Sequence, residues 1–337
     1  MDSVDIAQRL VDALARPDGK PDLRPVHAIG IGVTGTFVAS DVARDFCIAE
    51  HFQGGDVDVT ARFSNGSGSA VQHDGWSDVR GMATRFHLKQ GDPTDLIAMT
   101  LPEFFAPTPE TFLDFAITAK PMPFANQSPW RKFVEMLNLR QPARNAYPGE
   151  TIRPDEGAIR FADQHGYAQL GVFQAAAIGA PSSYVRAAYH AVHTFIVTAP
   201  DATRRWVRFT WQPTIGVKKY VPKDLPLDRY LQTELADRLT EGPARFSLMM
   251  AIGEAGDDFS DCTTPWPPHR PRIMMGTLTL KAVAEDQSTG CERLSFNPTH
   301  LTPGIEPSDD PVLHVRGDAY ELSALRRGAT TCPFGRS

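Results

Sequence analysis

The stretch PGIEPSDDPVLHVRGDAYELSALRR, residues 303–327, decides the reading of this chain. From Asp309 onward it predicts a helix running to residue 327. Asp309-Asp310-Pro311 opens it with acidic charge, and Arg326-Arg327 closes it, the order that complements a helix dipole. On such a helix Arg316 and Tyr320, four residues apart, lie one above the other on one face. A guanidinium beside a phenol favours the phenolate. A phenolate is a hard anionic ligand suited to ferric iron, and tyrosine is one of the residues that holds haem iron. Arg327 falls two turns beyond Tyr320 on roughly the same face, placed to meet a carboxylate of such a cofactor.

Working outward, residues 3–16 predict an amphipathic helix with Val4, Ile6, Leu10, Val11 and Leu14 on one side. Residues 17–26, with Pro17, Pro21 and Pro25, predict an extended arm. From His27 to about Leu96 the texture is that of short strands bounded by glycine, including Val57–Phe63 and Met82–Leu88. Helical texture covers 102–140, with starts at Thr108-Pro109 and Ser128-Pro129, and much of 144–185. Strands return at 188–198, 205–212, 244–252 and 273–284, around a helix at 227–241. Strands that do not alternate with helices favour an antiparallel sheet or barrel over a doubly wound sheet. The expected fold is α+β in one domain, 1–337, with 1–26 as helix and arm and 27–327 as core.

Two upstream segments carry candidate chemistry. Arg24-Pro25-Val26-His27 puts a histidine at the end of an extended arm, before the small residues Ala28 and Gly30, which would let backbone approach a flat ligand. Arg62-Phe63-Ser64 offers a hydroxyl that could fix the tautomer of a histidine and an arginine that could pair with a carboxylate.

Taken together, these segments resemble the haem catalase family over most of the chain. RPVHAIGIGVTGTF (24–37) resembles the distal-histidine segment. Arg62–Ser64 followed by Ser77-Asp78-Val79-Arg80-Gly81 resembles its arginine-phenylalanine-serine strand and arginine-glycine turn. Pro102-Glu103-Phe104-Phe105 with Phe112 and Phe115, Val192-His193-Thr194-Phe195, Phe296-Asn297-Pro298, and Pro303–Ser308 followed by Arg316, Tyr320 and Arg327 match in order and spacing. The resemblance implies a catalase-like antiparallel barrel with helical insertions around buried haem b, lacking the C-terminal domain of large catalases. It implies His27 as distal acid/base, with Ser64 bonded to it, and Tyr320 as the iron ligand, with Arg316 keeping it deprotonated. Arg24, Arg62 and Arg327 are implied as propionate-side or tyrosinate-side charges. Phe112 is implied to stack on the porphyrin, with Phe104 and Phe105 on the distal side and Val26 beside His27.

Departures from the family pattern shape the expected reaction. Thr100 is aligned with the distal asparagine, preceded by Met99; a single hydroxyl donates less than an amide. Ala324 stands where a histidine is usual. The chain ends soon after the Tyr320 helix, which is expected to leave the haem open to larger substrates. The implied activity is peroxidase: a peroxide substrate reduced with a small organic electron donor, with weak or no catalase activity. The alternatives are a fatty-acid hydroperoxide isomerase resembling allene oxide synthases, and a haem-binding protein without turnover.

Composition excludes several classes. A formal net charge of −6 argues against a nucleic-acid binder. Cys47, Cys262, Cys291 and Cys332 form no CxxC or CxxCH spacing, so a zinc ribbon or attached c-type haem is excluded and reduced thiols are expected. His190 and His193 on opposite faces of a strand predict no separate metal site. GIGVTG at 30–35 is not a dinucleotide fingerprint. No apolar signal core and no spanning segment is present, so a cytoplasmic protein without a membrane span is expected, assembled as a homodimer.

Overall fold

In the computed structural model the described residues are 3–15, 24–69, 73–75, 78–118, 130, 158–220, 229–287 and 291–329. Pro17, Pro21, Ser77, the helix start at Ser128-Pro129 and Cys332 lie outside them. Among the described residues there are ten strands: β1 Gly30–Ala39, β2 Asp56–Asn65, β3 Arg80–His87, β4 Thr94–Met99, β5 Tyr189–His190, β6 Phe195–Thr198, β7 Arg204–Pro213, β8 Ala244–Ile252, β9 Arg272–Val283 and β10 Ile305–Pro307. Every pairing is antiparallel. The order β7-β5-β4-β3-β2-β1-β9-β8, closed by β8 on β7, makes an eight-stranded barrel, with β6 and β10 added at one side. Closure leaves these eight strands without an edge.

Side-chain alternation fills the barrel. Ala244, Phe246, Leu248 and Met250 of β8 point inward at every second position. Phe37, Phe86 and Trp211 meet with ring centroids 5.3–6.4 Å apart, the offset and edge geometries that aromatic rings favour. Arg85 on β3 donates through Nε and Nη2 to Asp95 on β4 at 2.8 and 2.7 Å, with both groups buried. Asp95 also accepts from the Asn297 backbone N–H at 2.9 Å, binding the segment ahead of the last helix to the barrel.

Helices lie outside the barrel: α1 Ser3–Leu14, α2 Ala43–Phe46, α3 Pro109–Thr118, α4 Ala158–Gln164, α5 Gly166–Ala177, α6 Tyr230–Glu241 and α7 Pro311–Arg326. The predicted helix α7 forms, but it starts at Pro311, so Asp309 and Asp310 precede its first turn rather than lying in it. Asp310 caps it, accepting from Val312 N at 2.9 Å and Leu313 N at 3.3 Å, with Pro311 in its first turn. No helix among the described residues is long and apolar enough to cross a membrane.

One strand expectation is corrected. The run 188–198 is not continuous: it breaks after His190 and resumes at Phe195. His193 therefore sits in the break, and a period of two does not set its direction.

Candidate active site

A cavity of about 270 Å³ lies between the barrel and the helices. Its barrel wall comes from the segment before β1 and from β2, β3 and β4; its helical wall comes from α1, α3, α4, α5 and α7. Of the residues predicted for the site, Arg24, Val26, His27, Arg62, Ser64, Phe104, Phe105, Phe112, Arg316, Tyr320 and Arg327 all line it, and Thr100 does not.

His27 is held in place by its backbone as much as by its ring. It adopts φ 58°, an uncommon conformation for a residue with a Cβ. Its N–H donates to the Gly66 carbonyl at 3.0 Å, and its own carbonyl accepts from Arg62 Nη1 at 3.0 Å. The ring's Nδ1 lies 3.0 Å from Ser64 Oγ. Gly81 makes room for this pair, because a Cβ there would fall 2.8 Å from the imidazole and 2.9 Å from Ser64 Oγ. Burial, with Arg62, Arg316 and Arg24 nearby, pushes His27 down to about 3, so its imidazole is neutral at neutral pH. Gly30 serves a different end from the one predicted. A Cβ there would meet the Phe63 carbonyl at 2.4 Å and the Arg62 guanidinium at 2.6 Å, so its smallness seats Arg62 rather than a ligand.

Thr100 is corrected by one residue. Its Oγ1 accepts from the Arg80 backbone N–H at 2.9 Å, and Met99, at the end of β4, lines the cavity instead. Consecutive residues of an extended strand point to opposite sides, so a shift of one exchanges the inward group. Met99 stands opposite Gly81 in the β3–β4 register. A thioether is a weak acceptor and donates no hydrogen bond.

On the helical wall, Arg316 Nη2 donates to Tyr320 Oη at 3.2 Å, as the four-residue spacing predicted. The chain of contacts continues beyond what was predicted. Arg316 Nη1 donates to His193 Nε2 at 2.7 Å, and His193 Nδ1 lies 2.6 Å from Asp310 Oδ2. An arginine only donates, so Nε2 must accept and the ring proton sits on Nδ1, facing the carboxylate. Burial holds His193 below its ordinary value, which suits a neutral ring. Burial pushes Asp310 up, but the hydrogen bond and charge of His193 and the α7 N–H groups bring it below its ordinary value. Phe104 lies 5.4 Å from the Arg316 guanidinium, and its ring centroid is 6.1 Å from that of His193, so it packs against the contacts that reach Tyr320. His193, Cys262 and Asp310 also form a buried group that could hold a metal ion, but His193 already spends both ring nitrogens on Asp310 and Arg316.

At one end of the cavity three arginines converge on a residue the sequence reading missed, Glu292. Arg24 Nη1 reaches its Oε2 at 2.6 Å, Arg62 Nε its Oε1 at 2.9 Å, and Arg327 Nη1 its backbone carbonyl at 2.7 Å. Burial and mutual repulsion lower Arg24 well below its ordinary value and bring Arg327 to about 10, partly offset by Glu292. Three guanidiniums and one carboxylate leave two positive charges, the complement of a ligand carrying two carboxylates. The structure thus combines an apolar slot lined by Phe104, Phe105 and Phe112, a phenol oxygen under a guanidinium, a neutral imidazole, and a cationic end. These residues fit haem.

Comparisons with known proteins agree. The family model described as Catalase matches residues 18–147 and 161–332. The chain is 32% identical over 94% of its length to a catalase-related peroxidase of Mycolicibacterium paratuberculosis, covering 94% of that protein. It is 26% identical over 89% of its length to a catalase-related peroxidase of Synechococcus elongatus, covering 82%. Among solved structures, a bacterial catalase superposes with a TM-score of 0.74 at 19% identity, covering 94% of this chain and 60% of its own; a fungal catalase gives 0.72 at 21%, covering 91% and 60%. The chain therefore spans about 60% of the solved catalases it superposes on, while nearly matching the length of the first relative. With barrel, slot and sequence in agreement, the chain belongs to the catalase family, a family of haem-dependent oxidoreductases that act on peroxide.

Proposed function

We propose that the chain is a haem b peroxidase that reduces hydrogen peroxide or organic hydroperoxides with electrons from a small organic donor, and has little catalase activity. The observation that carries this reading is the pairing of a neutral, Ser64-held His27 with Met99 in the cavity wall. The bound haem would supply the redox chemistry that cleaves the peroxide O–O bond. Tyr320 would hold the iron, and Arg316, donating to its oxygen, stabilises negative charge there. His27 accepts the proton from the near peroxide oxygen and returns it to the departing one, so the alcohol or water leaves neutral. Ser64 keeps the ring in position through Nδ1 and leaves Nε2 for this transfer. Arg24, Arg62 and Arg327 would hold the haem's carboxylates. Two one-electron donors complete the reduction. Direct use of a second hydrogen peroxide as donor is disfavoured, because Met99 gives it no hydrogen bond.

The test is a paired assay of haem-loaded protein. Peroxide consumption should require an added phenolic donor, with oxygen release under about a tenth of peroxide consumed. His27→Ala should lose about a thousandfold in turnover while retaining haem. Met99→Asn, which supplies an amide donor, should raise the oxygen released several-fold. Brisk oxygen evolution by the parent overturns the peroxidase reading. Consumption of a lipid hydroperoxide without any donor replaces it with an isomerase.

A further inference from the structure

Gly81 and Met99 face each other across the β3–β4 ladder. Side chains of directly opposed residues stand on one face of a sheet, with Cβ atoms about 5 Å apart. A Cβ on Gly81 would fall 2.8 Å from the His27 imidazole, so that face is the one His27 occupies. The Met99 side chain therefore stands beside the His27 ring, and both residues line the cavity. Met99 is 8% exposed and belongs to the apolar cluster of the slot, with Leu101, Phe104 and Phe112.

Sulfur makes this position chemically different from its apolar neighbours, because a thioether is oxidised to a sulfoxide where a hydrocarbon side chain is inert. Among the described residues, the other sulfur-bearing side chain that lines the cavity is Met82. Met82 is fully buried and belongs to the barrel core, with Phe37 and Phe63. Met274, on β9, is 42% exposed. Were solvent access alone to set the order of oxidation, Met274 would react well before Met99.

We propose that Met99 is a modification site and the internal reductant of this chain: peroxide held at His27 oxidises it to the sulfoxide when no external donor is present. One peroxide oxygen bonds to the Met99 sulfur as the O–O bond breaks. The sulfur loses two electrons, and the peroxide is reduced to water, or to an alcohol when it is organic. His27 carries the proton from the oxygen that is transferred to the oxygen that departs. The step needs no other co-reactant and occurs once per chain. It leaves a polar oxygen in an apolar slot, a lasting mark of turnover without a donor. This rests on the peroxidase reading, in which His27 moves that proton.

The test is peptide mapping by tandem mass spectrometry of the haem-loaded full chain after exposure to hydrogen peroxide. Without a donor, Met99 should gain one oxygen atom about tenfold faster than Met274, the reverse of the order that exposure sets. A phenolic donor, which takes over as the source of electrons, should slow the oxidation of Met99 severalfold and leave that of Met274 unchanged. In the haem-free chain the preference should vanish, with Met274 reacting first. His27→Ala should lose the preference as well; should that variant fail to fold, the comparisons on the parent chain decide. Oxidation of Met274 ahead of Met99 in the loaded chain overturns the proposal. So does oxidation of Met99 at the same rate with and without haem, or a preference retained by His27→Ala. A loaded chain that oxidises the phenolic donor normally, yet keeps Met99 intact when the donor is left out, overturns this proposal and leaves the peroxidase reading standing. A loaded chain that reduces no peroxide even with the donor overturns the peroxidase reading and this proposal with it.

Discussion

The two walls of the cavity are built on different principles. The barrel wall positions Ser64 and Arg62 through strand register and His27 through hydrogen bonds to Gly66, Ser64 and Arg62. The helical wall positions Tyr320 through a relay of side chains, Asp310 to His193 to Arg316, and is completed by α1 with no ladder at all. The difference separates two tasks. On the function proposed above, the barrel wall serves proton transfer, which demands a closely placed imidazole, and the helical wall covers the apolar face of a flat cofactor.

Three substitutions sharpen or break this contrast. The largest expected effect is on the barrel wall. Asp95→Ala leaves Arg85 buried without its carboxylate and frees the Asn297 backbone N–H, and should cost about 3–5 kcal/mol of folding stability by urea unfolding. The whole domain should melt in one transition. A selective loosening of haem with an unchanged midpoint would show that the barrel is not the rigid wall.

Asp310→Asn is the corresponding change on the helical wall. Asparagine can still cap α7, so stability should fall by only about 1–2 kcal/mol. The spectroscopic signature of tyrosine-ligated ferric haem should nevertheless move, because the His193 ring loses the charge that fixes its Nδ1 proton. An unmoved spectrum would sever Asp310 from the relay.

The smallest effect concerns acid sensitivity. His51 lies in the barrel interior, 4.1 Å from Phe52 and 4.6 Å from Phe86 between ring centroids, and burial holds it down to about 3. A folded value below the unfolded value of about 6.5 means that the unfolded chain binds the proton first. The contribution is therefore complete above pH 6.5 and is lost as the pH falls toward 3. His27, also held down to about 3, adds a second proton over the same window. His51→Phe should flatten the loss of stability below pH 6 by about 1.4 kcal/mol per pH unit, read from urea midpoints at pH 7 and pH 5. Parallel curves for variant and parent would contradict this placement of the acid sensitivity.

What could be read in advance was local or strongly ordered along the chain. The opening of α7 at Asp309-Asp310-Pro311 and the Arg316–Tyr320 spacing are each set within a dozen residues, the first by turn chemistry and the second by the 3.6-residue period. The pairing of His27 with Ser64 was reached through resemblance, and the structure shows the contact. The errors fall where one residue or one break reverses a direction. Met99 rather than Thr100 lines the cavity because neighbouring residues of an extended chain face opposite sides, and the link of His193 to Arg316 and Asp310 was missed because the strand carrying His190 stops before it.

By itself, then, the sequence determined which segments are strands and helices and which residue types are available for chemistry, since backbone sterics and side-chain periodicity act over short stretches of chain. Only the tertiary structure decided that Glu292 lies among Arg24, Arg62 and Arg327, that Asp310 holds His193, and that α1 lines the slot. Those contacts join residues dozens to hundreds of positions apart. They depend on how the barrel closes and how the helices dock on it, which no local pattern records.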